Sequence, residues 1–274
     1  MDRLSPGQVF EADSPVIIAT PHTGTVVPPE LLAHPAWQPV NGRLSDPGGA
    51  ALLAAAKRCG VSSVAAHLHP CVIDLNVAID SRPLSQKLNR LGLCRTHTSR
   101  GEALYQSGLE PAEDEVEARV EDSWRPYHRA LAAELRRLRT LHSNIILLVS
   151  HVTSWLSPFR EQSSGSDCNA GTNQGNSCDR GMVSALTSAA QAFGRSWVVN
   201  GKFADAFAAQ HYGMPESGVH VIELEVSGCW RTDCELWDGE KLIDEMSALI
   251  GALEQSVRRL PPAENPTLLG LVTD

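Results

Sequence analysis

Three short apolar runs punctuate the chain, and each ends in a group able to bind a metal or move a proton. Pro15-Val16-Ile17-Ile18-Ala19-Thr20 runs into Pro21-His22-Thr23-Gly24-Thr25. Ile145-Ile146-Leu147-Leu148-Val149 ends in Ser150-His151, and Val219-His220-Val221-Ile222 passes into Glu223-Leu224-Glu225-Val226. Unbroken apolar runs of this length suit strands of a parallel sheet covered on both faces, and ligands of such sheets gather at the carboxyl ends of the strands. The pattern therefore predicts two histidines and a glutamate at one sheet edge. Between the first two runs, Asp46-Pro47-Gly48-Gly49 precedes an alanine-rich stretch over 50–59 that stops at Gly60, the signature of a helix with an acidic start and a glycine end. Residues 61–66 follow as a strand, completing a strand-helix-strand unit of the kind that builds parallel sheets. A further strand is expected over Cys71-Val72-Ile73-Asp74-Leu75-Asn76.

Farther along, Val116, Val120, Trp124, Tyr127, Leu131, Leu135 and Leu138 recur at helical spacing, with Pro126 placed to kink or divide the helix. Glu134, Arg137 and Arg139 read as its solvated face. Residues 161–178 are rich in Ser, Gly and Asn and predict no regular element; following soon after His151, they suit a lid over the site.

The 274 residues, 42% hydrophobic and 20% charged, describe an ordinary α/β domain with a sizeable core, taken as one unit over 1–274. A net charge of -9 with no basic run argues against nucleic acid or anionic lipid and for a small-molecule partner. No secretory pattern opens the chain and no apolar run approaches the roughly 20 residues of a membrane span, so a cytoplasmic protein is expected. Seven cysteines without a CxxC pair support neither a disulfide framework nor a zinc ribbon, and most are read as buried thiols; Cys168 and Cys178 are expected to be free.

Hydrolytic zinc sites take three ligands from His, Asp and Glu, leave a position for water and add a carboxylate that accepts its proton. Here His22 and His151 would be nitrogen ligands, Asp46 an oxygen ligand at a helix start and Glu225 the base. Strand position alone leaves Glu223 open as well, since residues two apart share a face.

The order of motifs resembles the N-formylglutamate amidohydrolase family, the N-formylglutamate deformylases, over nearly the whole chain. The resemblance is carried by Pro21-His22-Thr23-Gly24-Thr25, Asp46, Val72-Ile73-Asp74-Leu75-Asn76, Gly101-Glu102-Ala103-Leu104-Tyr105 and Trp124-Arg125-Pro126-Tyr127-His128. It continues through Ser150-His151, Asn169-Ala170-Gly171-Thr172, Val199-Asn200-Gly201-Lys202-Phe203, His211-Tyr212-Gly213 and Gly218-Val219-His220 into Leu224-Glu225. It implies a zinc-carboxypeptidase-like (phosphorylase/hydrolase-like) α/β fold: a mixed, largely parallel sheet flanked by helices. It also implies one mononuclear Zn2+ site, or another divalent metal, on His22, Asp46 and His151, with Glu225 as the base for amide hydrolysis. For the second catalytic group and oxyanion donor the candidates are His128, Arg125 and Asn200, with Asn76 among the substrate contacts.

This chain departs from the family at its basic positions. Family members usually continue Asp-Leu-Asn with Arg, where this chain has Val77. The Asn-Gly-Arg-Phe-Lys-Gly-Gly stretch reads Asn200-Gly201-Lys202-Phe203-Ala204-Asp205-Ala206, and the Arg before His-Tyr-Gly is Gln210. Arg82, Arg95 and Lys202 are the candidate replacement cations, with His97 a candidate pocket residue. An Asp that often precedes the second ligand is absent from Val149-Ser150-His151-Val152, which removes one carboxylate expected to orient the metal site. These features lead to a metal-dependent hydrolase of an N-formyl or other N-acyl amino acid or related small carboxylated amide. The alternatives are a hydrolase of a cyclic amide or ester on the same site, and a non-catalytic metal-binding protein.

Overall fold

A computed structural model of the chain describes residues 7–80, 92–98, 101–152, 166–201, 206–236 and 239–263. Seven strands form one sheet: β1 (Gly7–Phe10), β2 (Val16–Thr20), β3 (Ser62–Ala66), β4 (Ile145–His151), β5 (Cys168–Gly171), β6 (Trp197–Val199) and β7 (Val219–Val226), in the order β1-β3-β2-β4-β7-β5-β6. The central neighbours β3, β2, β4 and β7 are parallel, while β1 on β3 and β5 on β7 are antiparallel. The sheet is thus mixed and largely parallel, as expected.

Alternation along each strand feeds two separate cores, which is why the apolar runs are unbroken. On one face Val16, Ile18, Ile146, Leu148, Ile222 and Leu224 pack beneath α2 (Pro47–Cys59), α5 (Arg180–Ala192), α7 (Gly228–Leu236) and α8 (Gly239–Arg258). On the other, Ile17, Ala19, Ile145, Leu147, Val149, Val219 and Val221 meet α4 (Arg125–Leu141) and α6 (Phe207–Tyr212). Along β4 and β7 this second row ends in His151 and in Glu223 and Glu225, so the face turns from apolar to ionisable at the carboxyl ends. No described helix is long and apolar enough to cross a membrane.

After the short α1 (Pro29–Leu32), the helix expected from Asp46 onward is α2. Asp46 caps it by accepting from Gly49 N at 2.7 Å, and Gly60 ends it at φ 64. The helical stretch before residue 142 is divided as predicted near Pro126: α3 (Glu113–Arg119) passes through a π turn over Val120–Trp124 into α4. Three expectations need correction, and one strand was not foreseen. Residues 71–76 are no strand; Asp74 N bonds to Leu93 O and Arg95 N to Cys71 O, while β1 occupies the sheet edge beyond β3. Their strand-like alternation arises because Val72 enters one apolar cluster and Ile73 and Leu75 another. Within 161–178, Cys168–Gly171 form β5; Cys168 and Ala170 pack into the core, a signal hidden by small residues in a Ser/Gly/Asn-rich stretch. β1 carries no apolar run long enough to mark it. Glu134 is buried, bonded to the Arg137 guanidinium, instead of facing solvent. Five of the seven cysteines are buried, Cys168 and Cys178 among them, and all seven are free thiols.

Candidate active site

His22 follows β2 on a turn pressed against the end of β3. Gly24 makes this approach possible, because a Cβ there would lie 2.0 Å from the Leu68 carbonyl oxygen. The buried His22 ring donates from Nε2 to Asp74 Oδ1 at 2.8 Å, and its Nδ1 lone pair accepts from the Val152 amide at 3.3 Å. Asp74 also accepts from the Arg95 guanidinium at 2.5 Å. Burial alone would raise the Asp74 pKa, but the charges of His22 and Arg95 and their hydrogen bonds hold it well below the usual carboxylate range.

His151 closes β4 and stands beside Glu225 in the parallel register. Its Nδ1 lies 3.0 Å from Asn76 Nδ2 and 3.1 Å from Glu223 Oε2; pairing with the carboxylate, which can only accept, places a proton on Nδ1 and the lone pair on Nε2. Burial works against its protonation, yet the hydrogen bond and charge of Glu223 raise its pKa overall. The two candidate nitrogen ligands are therefore each backed by a carboxylate, and their ring centroids are 5.8 Å apart. Such carboxylate–histidine pairs orient imidazoles and increase their basicity toward a metal.

The two glutamates of β7 have different surroundings. Glu223, with no exposed surface, accepts from Ala209 N at 2.9 Å, Asn76 Nδ2 at 2.8 Å and His151 Nδ1. Glu225, 6% exposed, accepts from Asn169 Nδ2 at 2.5 Å across the antiparallel β5 pair. Glu223 thus has its acceptor sites taken by three fixed donors and orients His151, whereas Glu225 stands nearer the strand end. Glu223 fills the orienting role left open by the missing Asp before His151. Asp74 and Glu223 are the functional residues that the sequence reading did not assign. Their available signals were the polar interruption of an apolar segment and the i, i+2 relation to Glu225.

Asp46 approaches from the α2 side. Its Oδ2 is buried without a hydrogen-bond partner, as is Ser150 Oγ, and both atoms border Gly49. A Cβ on Gly49 would sit 2.2 Å from Asp46 Oδ2 and 2.6 Å from Ser150 Oγ. The donor chemistry suits a divalent cation: two carboxylate-backed imidazoles with assigned lone pairs and an orphaned carboxylate oxygen. The donors are not gathered, however. Among the described residues no group of three or more His, Cys, Asp or Glu side chains could hold a metal as placed. Asp46 meets Ser150 on the α2 face, while His151 continues the row facing α4 and α6.

The remaining candidates divide sharply. His128 is not at the reaction centre: 1% exposed, it donates from Nε2 to Leu75 O at 2.9 Å and accepts from the Tyr212 hydroxyl at Nδ1. Burial and the neighbouring His211 push its pKa down to about 3, so it is a neutral core residue. Asn76 is buried against Glu223, leaving its amide a structural donor rather than a substrate contact. Asn200, at φ 52, accepts from Thr172 N and Oγ1, pinning the turn after β6 to the end of β5. Arg125 pairs with Glu121 along its own helix at 2.6 Å. Arg95 is anchored on Asp74 yet lines a cavity beside His22, whose wall also includes Thr98 but not His97. Arg82 and Lys202 lie outside the described residues, as do residues 161–165 of the segment expected to form a lid.

Comparison with known proteins bears on the fold and the lineage. The family model for N-formylglutamate amidohydrolase matches residues 14–229. An N-formylglutamate deformylase of Pseudomonas aeruginosa is 33% identical over 220 residues, covering 80% of this chain and 82% of that protein. One of Pseudomonas putida is 36% identical over 173 residues, covering 63% and 64%. Among solved structures, an N-formylglutamate amidohydrolase of Ralstonia eutropha JMP134 superposes with a TM-score of 0.76 at 19% identity, covering 93% of this chain and 99% of that one. A gene product of Agrobacterium tumefaciens reaches 0.63 at 12% identity, covering 92% and 93%. These two structural likenesses speak for the fold, and the sequence matches for the lineage: the chain belongs to the N-formylglutamate amidohydrolase family.

Proposed function

We propose that this protein hydrolyses the formamide bond of an N-formyl amino acid, releasing formate and the free amine, with N-formylglutamate the first substrate to try. Family membership makes it a hydrolase of linear, non-peptide C–N bonds. The observation that carries the finer reading is the pair of imidazoles backed by Asp74 and Glu223, set at the strand ends beside Glu225. His22, His151 and Asp46 would hold a divalent metal, zinc being the natural choice for this donor set. When bound, such a cation supplies Lewis acidity, polarising the formyl carbonyl and favouring ionisation of the attacking water.

The chain's own contribution is proton transfer and orientation. Glu225 takes a proton as water adds to the formyl carbon, then delivers it to the departing nitrogen as the C–N bond breaks. Atoms balance with one water consumed, and the carboxylate is regenerated. The Asn169 amide holds the Glu225 carboxylate in place at 2.5 Å. Asp74 and Glu223 keep the two imidazoles in their assigned tautomers, each through one ring N–H.

The test is turnover of a panel of N-formyl and N-acetyl amino acids, with bound metal measured on the same preparations. The wild type is expected to release formate, and Glu225→Gln to retain metal while losing turnover. A Glu225→Gln variant as active as the wild type removes Glu225 from the mechanism. A metal-replete wild type that cleaves no formyl amino acid ends the deformylase reading.

A further inference from the structure

The cavity beside His22 has an open mouth, and its space, counted out into the open solvent at the mouth, is about 550 Å³. Its wall carries the guanidinium groups of Arg43 and Arg95, the polar groups of Ser45 and His69, and the apolar side chains of Val40 and Val152, among others. The charges on this wall do not cancel. Arg95 is matched by Asp74, which it meets at 2.5 Å. Arg43 is half-buried and has no carboxylate partner among the described residues. Burial and the positive charges of Arg95 and Arg43 push the His69 pKa down to about 3, so the imidazole adds no charge of its own. Glu102, which accepts from the hydroxyl of the wall residue Thr98, is exposed and does not line the cavity.

Hydrogen bonding fixes the polarity of the rest of the wall. The Cys71 amide donates to His69 Nδ1 at 3.1 Å, so the ring proton resides on Nε2 and is donated to Ser45 Oγ at 2.9 Å. This tautomer excludes His69 as a base toward Ser45 and hence a nucleophilic dyad. It leaves the Ser45 hydroxyl proton to be donated elsewhere. The wall therefore offers one unmatched positive charge and directed donors, the complement of a carboxylate, between apolar surfaces suited to a short methylene stem. Val77, which stands where relatives usually carry arginine, packs instead against the α4 cluster, and its carbonyl accepts from Trp124 Nε1.

Resting on the deformylase reading above, we infer that Arg43, together with Arg95 and the Ser45 hydroxyl, holds the side-chain carboxylate of an N-formyl acidic amino acid. In this chain the cation is supplied from position 43, where position 77 holds an apolar side chain. Selectivity for an acidic side chain is thus retained in this chain by a residue from the segment before α2.

The test uses L-glutamate and L-glutamine as probes, titrated calorimetrically into the full-length protein and into Arg43→Gln and Arg43→Lys. Glutamate affinity should fall about tenfold or more in Arg43→Gln, the loss expected for one charge-assisted contact. It should recover in part in Arg43→Lys, and glutamine binding should be unchanged in both. Equal losses for the two probes, no loss for either, or no glutamate binding by the wild type overturns the proposal. Turnover of N-formylglutamate and N-formylglutamine by the same proteins separates the two readings. Hydrolysis without an Arg43-dependent preference for the acidic substrate keeps the deformylase and removes the pocket. Arg43-dependent glutamate binding without hydrolysis does the reverse. Unaltered melting temperatures of the Arg43 variants establish that any change is local.

Discussion

The two sides of the strand-end site carry opposite charges and hold them in opposite ways. Toward β2, Arg43 stands half-buried on an open cavity wall with no carboxylate to cancel it, beside an Arg95 that Asp74 already neutralises. Toward β7, Glu223 and Glu225 are buried, and each is fixed by an asparagine amide, Asn76 and Asn169. A charge kept for recognition is left uncompensated where a ligand can reach it. A charge that orients a ring or, in the proposed reaction, exchanges a proton is enclosed and held in place by directed donors. The two sides should therefore respond differently: substitutions toward β2 alter binding, and those toward β7 alter turnover or the integrity of the site.

The largest effect is expected from Glu225→Gln, which should lower kcat about 10²- to 10⁴-fold with little change in KM. Steady-state kinetics check this, and a change confined to KM would erase the division between the two sides. Next comes Glu223→Ala. It strips the acceptor from Ala209 N and Asn76 Nδ2 in a fully buried setting, costing about 2–4 kcal/mol of stability. It should also weaken metal affinity about 10- to 100-fold through His151, as read by denaturant titration and competitive chelation.

A smaller and graded effect is expected from pH. The pKa values of His69 and His128 are both lowered to about 3, so the folded state resists protons that the unfolded chain accepts from its ordinary value of 6.5 downward. Stability from these groups is present above pH 6.5 and is lost as the pH falls toward 3, by about 1.4 kcal/mol per pH unit for each group. Melting temperatures from pH 7.5 to 5 should fall, and the slope should be shallower in a folded His128→Gln variant. The smallest change, Arg258→Ala, breaks an exposed i, i+4 pair with Glu254 and should shift stability by no more than about 0.5 kcal/mol. It serves as the baseline for the other variants.

The central sheet was legible because its strands are buried on both faces and so carry unbroken apolar runs. The ends of those runs located His22, His151 and Glu225, and Asp46 was legible as the cap of α2. Strand pattern alone could not separate Glu223 from Glu225, because the distinction lies in donors from α6 and from residue 76, distant in sequence. Similarly, His128 and Asn76 carry chemistry-bearing side chains within family motifs, yet long-range hydrogen bonds to Tyr212, Leu75 and Glu223 turn them into fastenings of the core. Arg43 was missed because nothing in its local sequence distinguishes a cavity-lining arginine from a surface one. Only the fold brings it to the wall with His69 and Cys71.

The π turn over Val120–Trp124 sets the rotational phase between two helical segments. Arg119, the last residue of α3, uses that phase to donate to Val72 O at 2.9 Å and to the Tyr105 hydroxyl at 3.1 Å, while pairing with Glu115. Rewinding the same residues as ordinary α-helix would swing everything before them by about 100° around the axis. The guanidinium would then no longer reach residues 71–76, the span that supplies Asp74 to His22. One surplus residue in a helix, far from the reacting atoms, thereby keeps the strap that steadies an imidazole in alignment.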